Sequence, residues 1–286
     1  MKKLSVVLAT RNEEANVVPC LESVKGIAND LVVVDEGSTD KTRQLAESLG
    51  ARVYEVAHEA IFHKTKQKAL DLAQGEWILQ LDADERVTPG LTEEIKSVLS
   101  GNIDDKIKDS KKRRLFERHR GILEARDGKI GKETGEIVAY FIPRRNIFLG
   151  KPLIHAGVYP DASIRLIKKG KAHFPAKSVH EIMEVDGRVG WLENDLEHHD
   201  SPTFSRYLQR ANRYTDLTAS EFMENKTPVN IPFLLYFSFV KPLFVFLKLY
   251  IRHLGALDGM RGFVWSLFSG LHFPIAYFKY WQKVKK

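Results

Sequence analysis

The residues Glu76–Pro89, EWILQLDADERVTP, contain the strongest indication of the fold class. Residues 77–81 form an apolar run of strand length, and Asp82 and Asp84 follow the run at alternate positions. A threonine and a proline close the stretch, and these are the residue types that cap and open a helix. A buried strand that ends in carboxylates and leads into a helix is typical of a parallel α/β sheet, where ligands bind beyond the carboxyl ends of the strands.

The residues before this stretch repeat the same alternation of β-rich runs and helical patterns. Near-continuous apolar runs predict strands that are covered on both faces, and Gly50 and Gly75 mark the ends of helices. Ser38 and Thr39 are interpreted as residues that cap the second helix. The predicted strands are Leu4–Ala9, Leu31–Val34, Arg52–Val56 and Trp77–Leu81, and the predicted helices are Ala15–Lys25, Thr39–Leu49 and Lys64–Ala73.

The composition is that of a globular protein with a basic surface. Of the 286 residues 43% are apolar and 28% charged, which suits one large domain, or one domain with an appendage. A formal net charge of +7 and a sequence pI near 9.3 favour anionic partners, such as nucleic acid, nucleotide phosphates or an acidic membrane surface. A single cysteine, Cys20, excludes an intramolecular disulfide and fits a reducing compartment. The N-terminal apolar run is too short for a signal peptide and is predicted to be the first strand.

Later segments differ from the N-terminal pattern. Residues 101–135 are rich in lysine, arginine and acidic residues, and we expect a charged surface insertion that is mobile or a solvated helix. Core patterning resumes at Ile137–Pro143, and Phe204–Glu224 is predicted to be a helix. We expect a main domain over residues 1–228 and a separate segment over residues 229–286.

The segment 229–286 is apolar and aromatic, with lysine and arginine interspersed. Pro242 and Pro274 interrupt its apolar runs, so no stretch is predicted to be a convincing membrane span. One interpretation is a group of amphipathic helices on an anionic membrane, either at the interface or re-entrant. The other interpretation is a helical layer that packs on the sheet.

Polar clusters follow three of the predicted strands. They are Thr10–Glu13 after the first strand, Asp35–Asp40 after the second and Asp82–Glu85 after the fourth. The carboxyl ends of parallel strands share one edge of a sheet, so we expect the clusters to converge. Two carboxylates repel unless a cation or proton lies between them, and Mg²⁺ or Mn²⁺ typically bridges carboxylates and substrate phosphates. The pattern predicts a divalent metal site that neutralises a diphosphate.

Several motifs in the same order carry a family resemblance. They are LSVVLATRNEEANVVPCLESV, LVVVDEGSTDKT, KQKALDLAQGEWILQLDADERVTP, IPRRNIFLGK, YPDASIRLIKKGKAHF and VHEIMEVDGRVGWL. Together they resemble the family 2 glycosyltransferases of the GT-A fold, above all bacterial transferases of lipopolysaccharide core and other cell-surface glycans. The resemblance implies a mixed, mainly parallel sheet with helices on both faces.

The resemblance also implies an activity. It implies an inverting, metal-dependent transferase that moves a hexose such as glucose from a nucleotide-diphosphate sugar, UDP-glucose being the first choice. The acceptor would be a hydroxyl of a lipid-linked or cell-surface glycan such as lipopolysaccharide core. We expect a cytoplasmic protein that binds the anionic inner face of the cell membrane through its basic residues. No nucleic-acid partner is expected.

Site residues follow from the resemblance by position. By its match to the family's V-H-E motif, Glu181 is expected to be the base that an inverting displacement needs near the acceptor hydroxyl. The donor-binding residues would be Thr10, Asn12, Glu13, Asp35, Lys66 and Asp82; the metal ligands Asp84, Asp82 and His198; and further phosphate or acceptor contacts Arg145, Arg165 and His180.

Two other classes of protein stay as alternatives. A sugar nucleotidyltransferase would share the sheet and the paired carboxylates, but it would need a glycine-rich phosphate loop, and residues 10–14 contain no glycine. A non-catalytic basic protein would bind nucleic acid or membrane through residues 111–120 and the C-terminal tail. Nucleic-acid binding would favour aromatic residues on a basic groove, whereas the aromatic residues here lie in apolar runs.

Overall fold

The computed structural model describes residues 2–102, 107, 109–175 and 182–285. The chain forms two compact units. The sheet unit comprises Met1–Arg145 and Pro160–His198, and the helical unit comprises Asn146–Tyr159 and His199–Lys286. The domain boundary expected after residue 228 stays a prediction.

The sheet unit is built on a mixed, mainly parallel sheet. Within the described residues this sheet has seven strands in the order β12-β6-β9-β4-β1-β2-β3. Strand β1 pairs parallel with β2 and β4, and β9 is antiparallel to β4 and β6. The strands are β1 Leu4–Thr10, β2 Asp30–Asp35, β3 Arg52–Glu55, β4 Trp77–Leu81, β5 Glu85–Val87, β6 Ile137–Ile142, β7 Arg144–Phe148, β8 Lys151–Pro152, β9 Ser163–Lys168, β10 Ala172–His173, β11 Glu184–Val185, β12 Arg188–Trp191 and β13 Leu196–Ser201. The predicted fold class is confirmed.

Apolar side chains cover the central strands on both faces. Every residue of β1 is buried, and alternate residues point to opposite faces of the sheet. Val6 packs in the cluster that contains Leu21 and Ile95, whereas Val7 packs in the cluster that contains Leu70. This double burial explains the near-continuous apolar runs, which few polar residues, such as Ser5 and Gln80, interrupt.

Helices connect the strands of the sheet unit. They are α1 Val17–Ser23, α2 Thr42–Ser48, α3 Phe62–Leu72, α4 Pro89–Ser100 and α5 Ser110–Asp127. As predicted, Thr88 caps α4, its side chain accepting a hydrogen bond from the Leu91 N–H. The predicted start of the second helix is wrong, because α2 begins at Thr42 and the Ser38 side chain makes other contacts.

The charged segment 101–135 contains helix α5. The Asp109 side chain caps this helix by accepting hydrogen bonds from the Lys111 and Lys112 N–H groups at 2.7 and 3.2 Å. Phe116 is fully buried and stacks on Trp191 with the ring centroids 4.5 Å apart. Phe116 therefore anchors one face of the helix, on which Leu123 also packs, while the other face is solvated.

The helical unit consists of α6 Phe204–Glu224, α7 Ile231–Leu235, α8 Lys241–Leu247 and α9 Met260–Val284, together with the short strand pair of β7 and β8. With two π turns, Tyr236–Val240 and Lys248–Arg252, helices α7 and α8 join into one continuous helix, Ile231–Arg252. Among the described residues it is the one helix long and apolar enough to cross a membrane. The expected interruption at Pro242 is wrong, because Pro242 follows a π turn and the helix continues past it. The prediction that no stretch is a convincing membrane span stays a prediction.

Candidate active site

Asp35 is a fixed, fully buried carboxylate at the end of β2. The register of β1 and β2 places Thr10 opposite Asp35, and Thr10 Oγ1 donates to Asp35 Oδ2 over 2.9 Å. Ser38 donates twice, from its N–H to Oδ1 at 2.7 Å and from its hydroxyl to Oδ2 at 2.5 Å. These three donors preorganise the carboxylate before any ligand arrives.

The loops that follow β1 and β2 are joined by side-chain hydrogen bonds. Asn12 has a φ of 55°, a left-handed conformation that asparagine tolerates better than most residues. Its N–H donates to Ser38 Oγ at 2.8 Å, and its Oδ1 accepts from the Thr39 N–H at 2.8 Å. The Glu13 N–H donates to Thr42 Oγ1 over 2.8 Å. Ser38 is therefore used to join the two loops, which explains why it does not cap α2.

Asp82 lies directly after β4 between two cations. Its Oδ1 is 2.5 Å from Lys66 Nζ, and its Oδ2 is 2.6 Å from Arg165 Nη2. Burial by itself would raise the pKa of Asp82, but the charges of Arg165 and Lys66 outweigh it and hold the pKa well below its usual range. Asp82 is therefore ionised at neutral pH, and protein cations contact both of its oxygens.

Arg165 connects Asp82 to a second buried carboxylate. Its Nη2 lies 2.6 Å from Glu85 Oε1, its Nη1 donates to Gln80 Oε1, and Glu85 Oε2 accepts from the Asp82 N–H at 2.9 Å. Burial by itself would lower the pKa of Arg165, but the charges of Asp82 and Glu85 outweigh burial, so the pKa lies above its ordinary value. The Nε–H of Arg165 is buried and has no hydrogen-bond partner within the described part of the chain. A buried donor of this kind indicates a place for a ligand or a water molecule.

Arg144 extends this set of charges. Its Nη2 lies 2.8 Å from Asp161 Oδ2, and its Nη1 lies 3.5 Å from Glu85 Oε1. We call this set the buried charge network after its buried members Lys66, Glu85 and Arg165; the partly exposed Asp82, Arg144 and Asp161 complete it. Its cations and carboxylates balance, so directed hydrogen bonds rather than net charge would select a ligand here.

A cavity of about 360 Å³ adjoins the buried charge network. The volume is in the range typical of small-molecule sites. His63 stacks on Phe174 at the cavity with the ring centroids 4.8 Å apart. The lining combines five network residues, Lys66, Asp82, Arg144, Asp161 and Arg165, with apolar side chains that include Leu123, Phe141, Ile164, Phe174 and Met183. Polar groups beside aromatic surface suit a polyhydroxylated ligand, which has both hydroxyls and C–H faces.

Asp84 and His198 form a second pair near the sheet edge. Strand β13 is antiparallel to β5 and places His198 opposite Glu85. The Asp84 Oδ2 and His198 Nε2 atoms are 3.5 Å apart, and the two side chains are 25% and 14% exposed. A carboxylate oxygen and an imidazole nitrogen at this spacing fit a divalent cation such as Mn²⁺. The two aspartates of the motif thus differ, since Asp82 contacts protein cations and Asp84 contacts a histidine.

Arg145 contacts acidic residues away from the cavity. Its Nη2 lies 2.9 Å from Glu197 Oε1, and its Nη1 lies 3.9 Å from Asp195 Oδ2. Successive residues of a strand point to opposite faces, so the adjacent Arg144 is the arginine that reaches the cavity. His180 and Glu181, the expected base, lie outside the described residues.

The predicted motifs contained two further members of the buried charge network, and a third lay outside the predicted site. Glu85 belongs to the predicted polar cluster after β4 but had no role of its own, and its full burial was the hidden feature. Arg144 belongs to the predicted arginine motif with Arg145, and strand alternation separates the two side chains. Asp161 carried no sequence signal, because its φ of 38° and its contact with Arg144 depend on the folded chain.

Sequence comparisons give a family match over residues 5–150, slightly more than half of the chain, to the family described as Glycosyl transferase family 2. The lipopolysaccharide core biosynthesis glycosyltransferase LpsC of Rhizobium meliloti (strain 1021) is 25% identical over 286 residues, 98% of this chain and 92% of that protein. An uncharacterized glycosyltransferase of Rickettsia bellii (strain RML369-C) is 39% identical over 105 residues, 37% of this chain and 35% of that protein. The chain thus spans about a third of the length of the Rickettsia relatives that it matches.

Solved structures give partial overlaps. The structure of S. aureus TarS 1-349 overlaps 93% of this chain and 81% of that chain, with a TM-score of 0.40 and 15% identity. Glucosyl-3-phosphoglycerate synthase from Mycobacterium tuberculosis, solved in complex with Mn²⁺ and UDP, overlaps 35% of this chain and 40% of that chain, with a TM-score of 0.30 and 28% identity.

Proposed function

Because this chain belongs to glycosyl transferase family 2, we propose that it moves a hexose, glucose in the first instance, from a UDP-sugar to a glycan hydroxyl with inversion at the anomeric carbon. One observation carries the proposal. The carboxyl ends of β1, β2 and β4 bring together a preorganised Asp35 and the paired Asp82, and a cavity of about 360 Å³ adjoins Asp82. This is the edge at which ligands bind in α/β sheets.

We assign the nucleoside to the loops after β1 and β2. Asp35 Oδ2 accepts two protein hydrogen bonds, whereas Oδ1 accepts one from the Ser38 N–H. Arg43 Nε also lies 3.8 Å from Oδ1, beyond hydrogen-bond distance. A carboxylate oxygen has two lone pairs, so Oδ1 has capacity for an N–H of the base. Thr10, Asn12 and Glu13 act by holding this carboxylate and its loops in place.

We assign the sugar and diphosphate to the region around Asp82. Lys66 and Arg165 are paired with Asp82 there and can donate hydrogen bonds, and the buried Nε–H of Arg165 is available to a sugar oxygen. Asp84 and His198 are the residues that would hold a divalent cation. When bound, such a cation would neutralise the diphosphate and so favour its departure.

The proposed transfer is a single displacement that needs one base. The acceptor hydroxyl gives its proton to Glu181 while its oxygen forms a bond to the anomeric carbon. The bond from that carbon to the diphosphate oxygen breaks, and UDP leaves with the electron pair. Glu181 is assigned to this step by the family resemblance alone.

We place the acceptor on a membrane. Residues 229–286 contain eight lysines and arginines and one acidic residue, which favours the anionic inner face of a cell membrane. The relative LpsC is named for lipopolysaccharide core biosynthesis. A lipid-linked glycan such as lipopolysaccharide core is therefore the acceptor class that we propose, for an enzyme peripheral to the cytoplasmic face.

A thermal-shift panel of nucleotides and nucleotide sugars, each with and without Mn²⁺ or Mg²⁺, tests the donor site. A ligand that binds only the folded state raises stability, so one UDP-sugar should raise the melting temperature in a metal-dependent way. Hydrolysis or transfer of that UDP-sugar is then measured as the amount of UDP released. A shift with nucleoside triphosphate and sugar phosphate, or with oligonucleotide alone, would overturn the proposal in favour of a nucleotidyltransferase or a nucleic-acid binder.

A further inference from the structure

The helix Ile231–Arg252 exposes a continuous row of apolar side chains. We call this row the apolar stripe, and its members are between 42% and 67% exposed. Its members are Leu235, Tyr236, Phe239, Val240, Leu243, Phe244, Leu247 and Ile251. Contiguous apolar surface of this kind is uncommon on monomeric soluble proteins and marks a contact with a partner or a membrane.

The two π turns keep the apolar stripe on one face. Its members recur every four residues, and in a regular α-helix four residues overshoot one turn by about 40°. Over four repeats such a drift would carry the row around the helix. A π turn holds more residues than an α turn, so Tyr236–Val240 and Lys248–Arg252 rotate the row back.

The opposite face of this helix packs on α9. Phe237 stacks on Tyr277 with the ring centroids 5.0 Å apart, and Phe246 meets Phe263 edge-on at 5.7 Å. The residue numbers rise on one helix as they fall on the other, so the two helices are antiparallel. At their crossing, a Cβ on Gly270 would lie 2.7 Å from the backbone oxygen of Pro242, so the approach is close.

Helix α6 lies along α9 as well. Phe204 meets Phe268 at 5.2 Å, Thr218 Oγ1 lies 3.0 Å from His272 Nε2, and Phe222 meets Tyr280 at 6.1 Å. Residue numbers rise together on both helices, so α6 runs parallel to α9. The exposed charged residues of α6 include Arg206, Arg213, Asp216, Glu221 and Glu224.

This packing decides between crossing a membrane and lying on it. If Ile231–Arg252 crossed the bilayer, α9 and the adjacent α6 would cross beside it, and the charges of α6 would lie at the depth of the hydrocarbon. Charged side chains at that depth are costly unless they face a partner or a water-filled cavity. An orientation in the membrane plane inserts the apolar stripe alone and leaves α6 in water.

Charge identifies the kind of surface that receives the stripe. Lys248 and Arg252 are exposed at one end of the helix, and the acidic Asp258 is paired with His155 at 2.9 Å. We infer that Ile231–Arg252 lies in the plane of an anionic lipid bilayer, with the apolar stripe in the boundary between headgroups and acyl chains. The proposed function enters this inference at one point, which is that the acceptor lies on the same membrane.

Depth measurements on the full chain test this orientation. Single cysteines at Leu235, Phe239, Leu243 and Leu247 carry an environment-sensitive fluorophore, and burial raises the pKa of the Cys20 thiol, so Cys20 reacts little. Phosphatidylglycerol–phosphatidylcholine vesicles contain nitroxide lipids at known depths. We expect the same shallow depth at all four positions. A depth that passes through the bilayer centre along the helix, or no quenching at any position, would overturn the inference.

Substitutions in the apolar stripe give an independent measurement. Phe239→Glu or Phe244→Glu should weaken binding of the full chain to these vesicles by about tenfold or more, since a charge replaces an inserted aromatic ring. The matched control is Ile122→Glu, a residue 58% exposed on α5 in the sheet unit. An equal loss in the control, or no loss in the stripe variants, contradicts the inference. The UDP-sugar thermal shift should be unchanged in all three variants, which separates this test from that of the donor site.

Discussion

The buried charge network and the apolar stripe depart from the usual partition of side chains in opposite directions. In the sheet unit, ionised residues such as Glu85 and Arg165 are buried, whereas in the helical unit large apolar residues such as Phe239 are exposed. Buried charges are rare unless they are paired, and large exposed apolar patches usually mark contacts. Each departure supports one of the two proposals, a polar ligand in the cavity and a lipid surface at the stripe.

The two regions also differ in how they are stabilised. The network is held by directed ion pairs such as Asp82–Lys66 at 2.5 Å and Asp82–Arg165 at 2.6 Å. Removal of one residue of a pair leaves the other charge without its counter-ion. The stripe has no such dependence within the helical unit, because its helix is held by the opposite face through Phe237 and Tyr277. Substitutions in the network should therefore change activity and folding, whereas substitutions in the stripe should change location alone.

The largest expected effect is that of Asp84→Ala on transfer. Removing a proposed metal ligand should lower metal-dependent release of UDP by roughly a thousandfold, while the circular dichroism spectrum stays that of the native chain. The control is Asp186→Ala, which removes an aspartate that contacts surface lysines. Wild-type rates for Asp84→Ala would show that Asp84 is not a metal ligand needed for transfer.

Arg165→Met should destabilise the sheet unit. The substitution leaves the fully buried carboxylate of Glu85 and the partly exposed one of Asp82 without a shared partner, and breaking a buried pair costs about 3–5 kcal/mol. Urea unfolding measures the change. The control Lys96→Met breaks an exposed pair with Glu93, and such pairs contribute about 0–1 kcal/mol. Equal small losses in both variants would mean that the network does not stabilise the fold.

Acid titration sharpens the role of Asp82. Its pKa is lower in the folded chain than the unfolded value of about 3.9, so its ion pairs stabilise the fold above that pH. This stability is lost as the pH falls through the lowered folded pKa. The free energy of unfolding should therefore fall less between pH 5 and about pH 2.5 in Asp82→Asn than in the wild type. An unchanged pH dependence, equal to that of the surface variant Glu93→Gln, would contradict the assignment.

The smallest expected effect is that of a single basic residue beside the stripe. Lys248→Gln should weaken binding to anionic vesicles by about fivefold, since one lysine near such a surface contributes about 1 kcal/mol. Binding to zwitterionic vesicles should not change. The control is Lys129→Gln, an exposed lysine of the sheet unit. If both substitutions weaken binding equally, net charge rather than the helix directs the protein to the membrane.

The sequence alone identified the family and most of the sheet. The resemblance to family 2 glycosyltransferases is confirmed by the family match, and the GT-A fold class by that match together with the sheet. The β1, β2 and β4 strands lie within one residue of their predicted ends, because an apolar run of strand length is a local signal. The roles of the individual site residues stay predictions.

Tertiary structure decided the features that depend on distant residues. Asp82 and Arg165 are 83 positions apart and meet because β4 and β9 pair antiparallel, with Leu79 opposite Leu166. The continuity of the helix past Pro242 likewise depends on a π turn and on packing against α9. The local sequence pattern thus predicted the apolar strands and where they end, since it is a property of neighbours. The choice of partner for each buried charge depends on how strands align across the sheet, and that alignment is set by the packing of the whole unit.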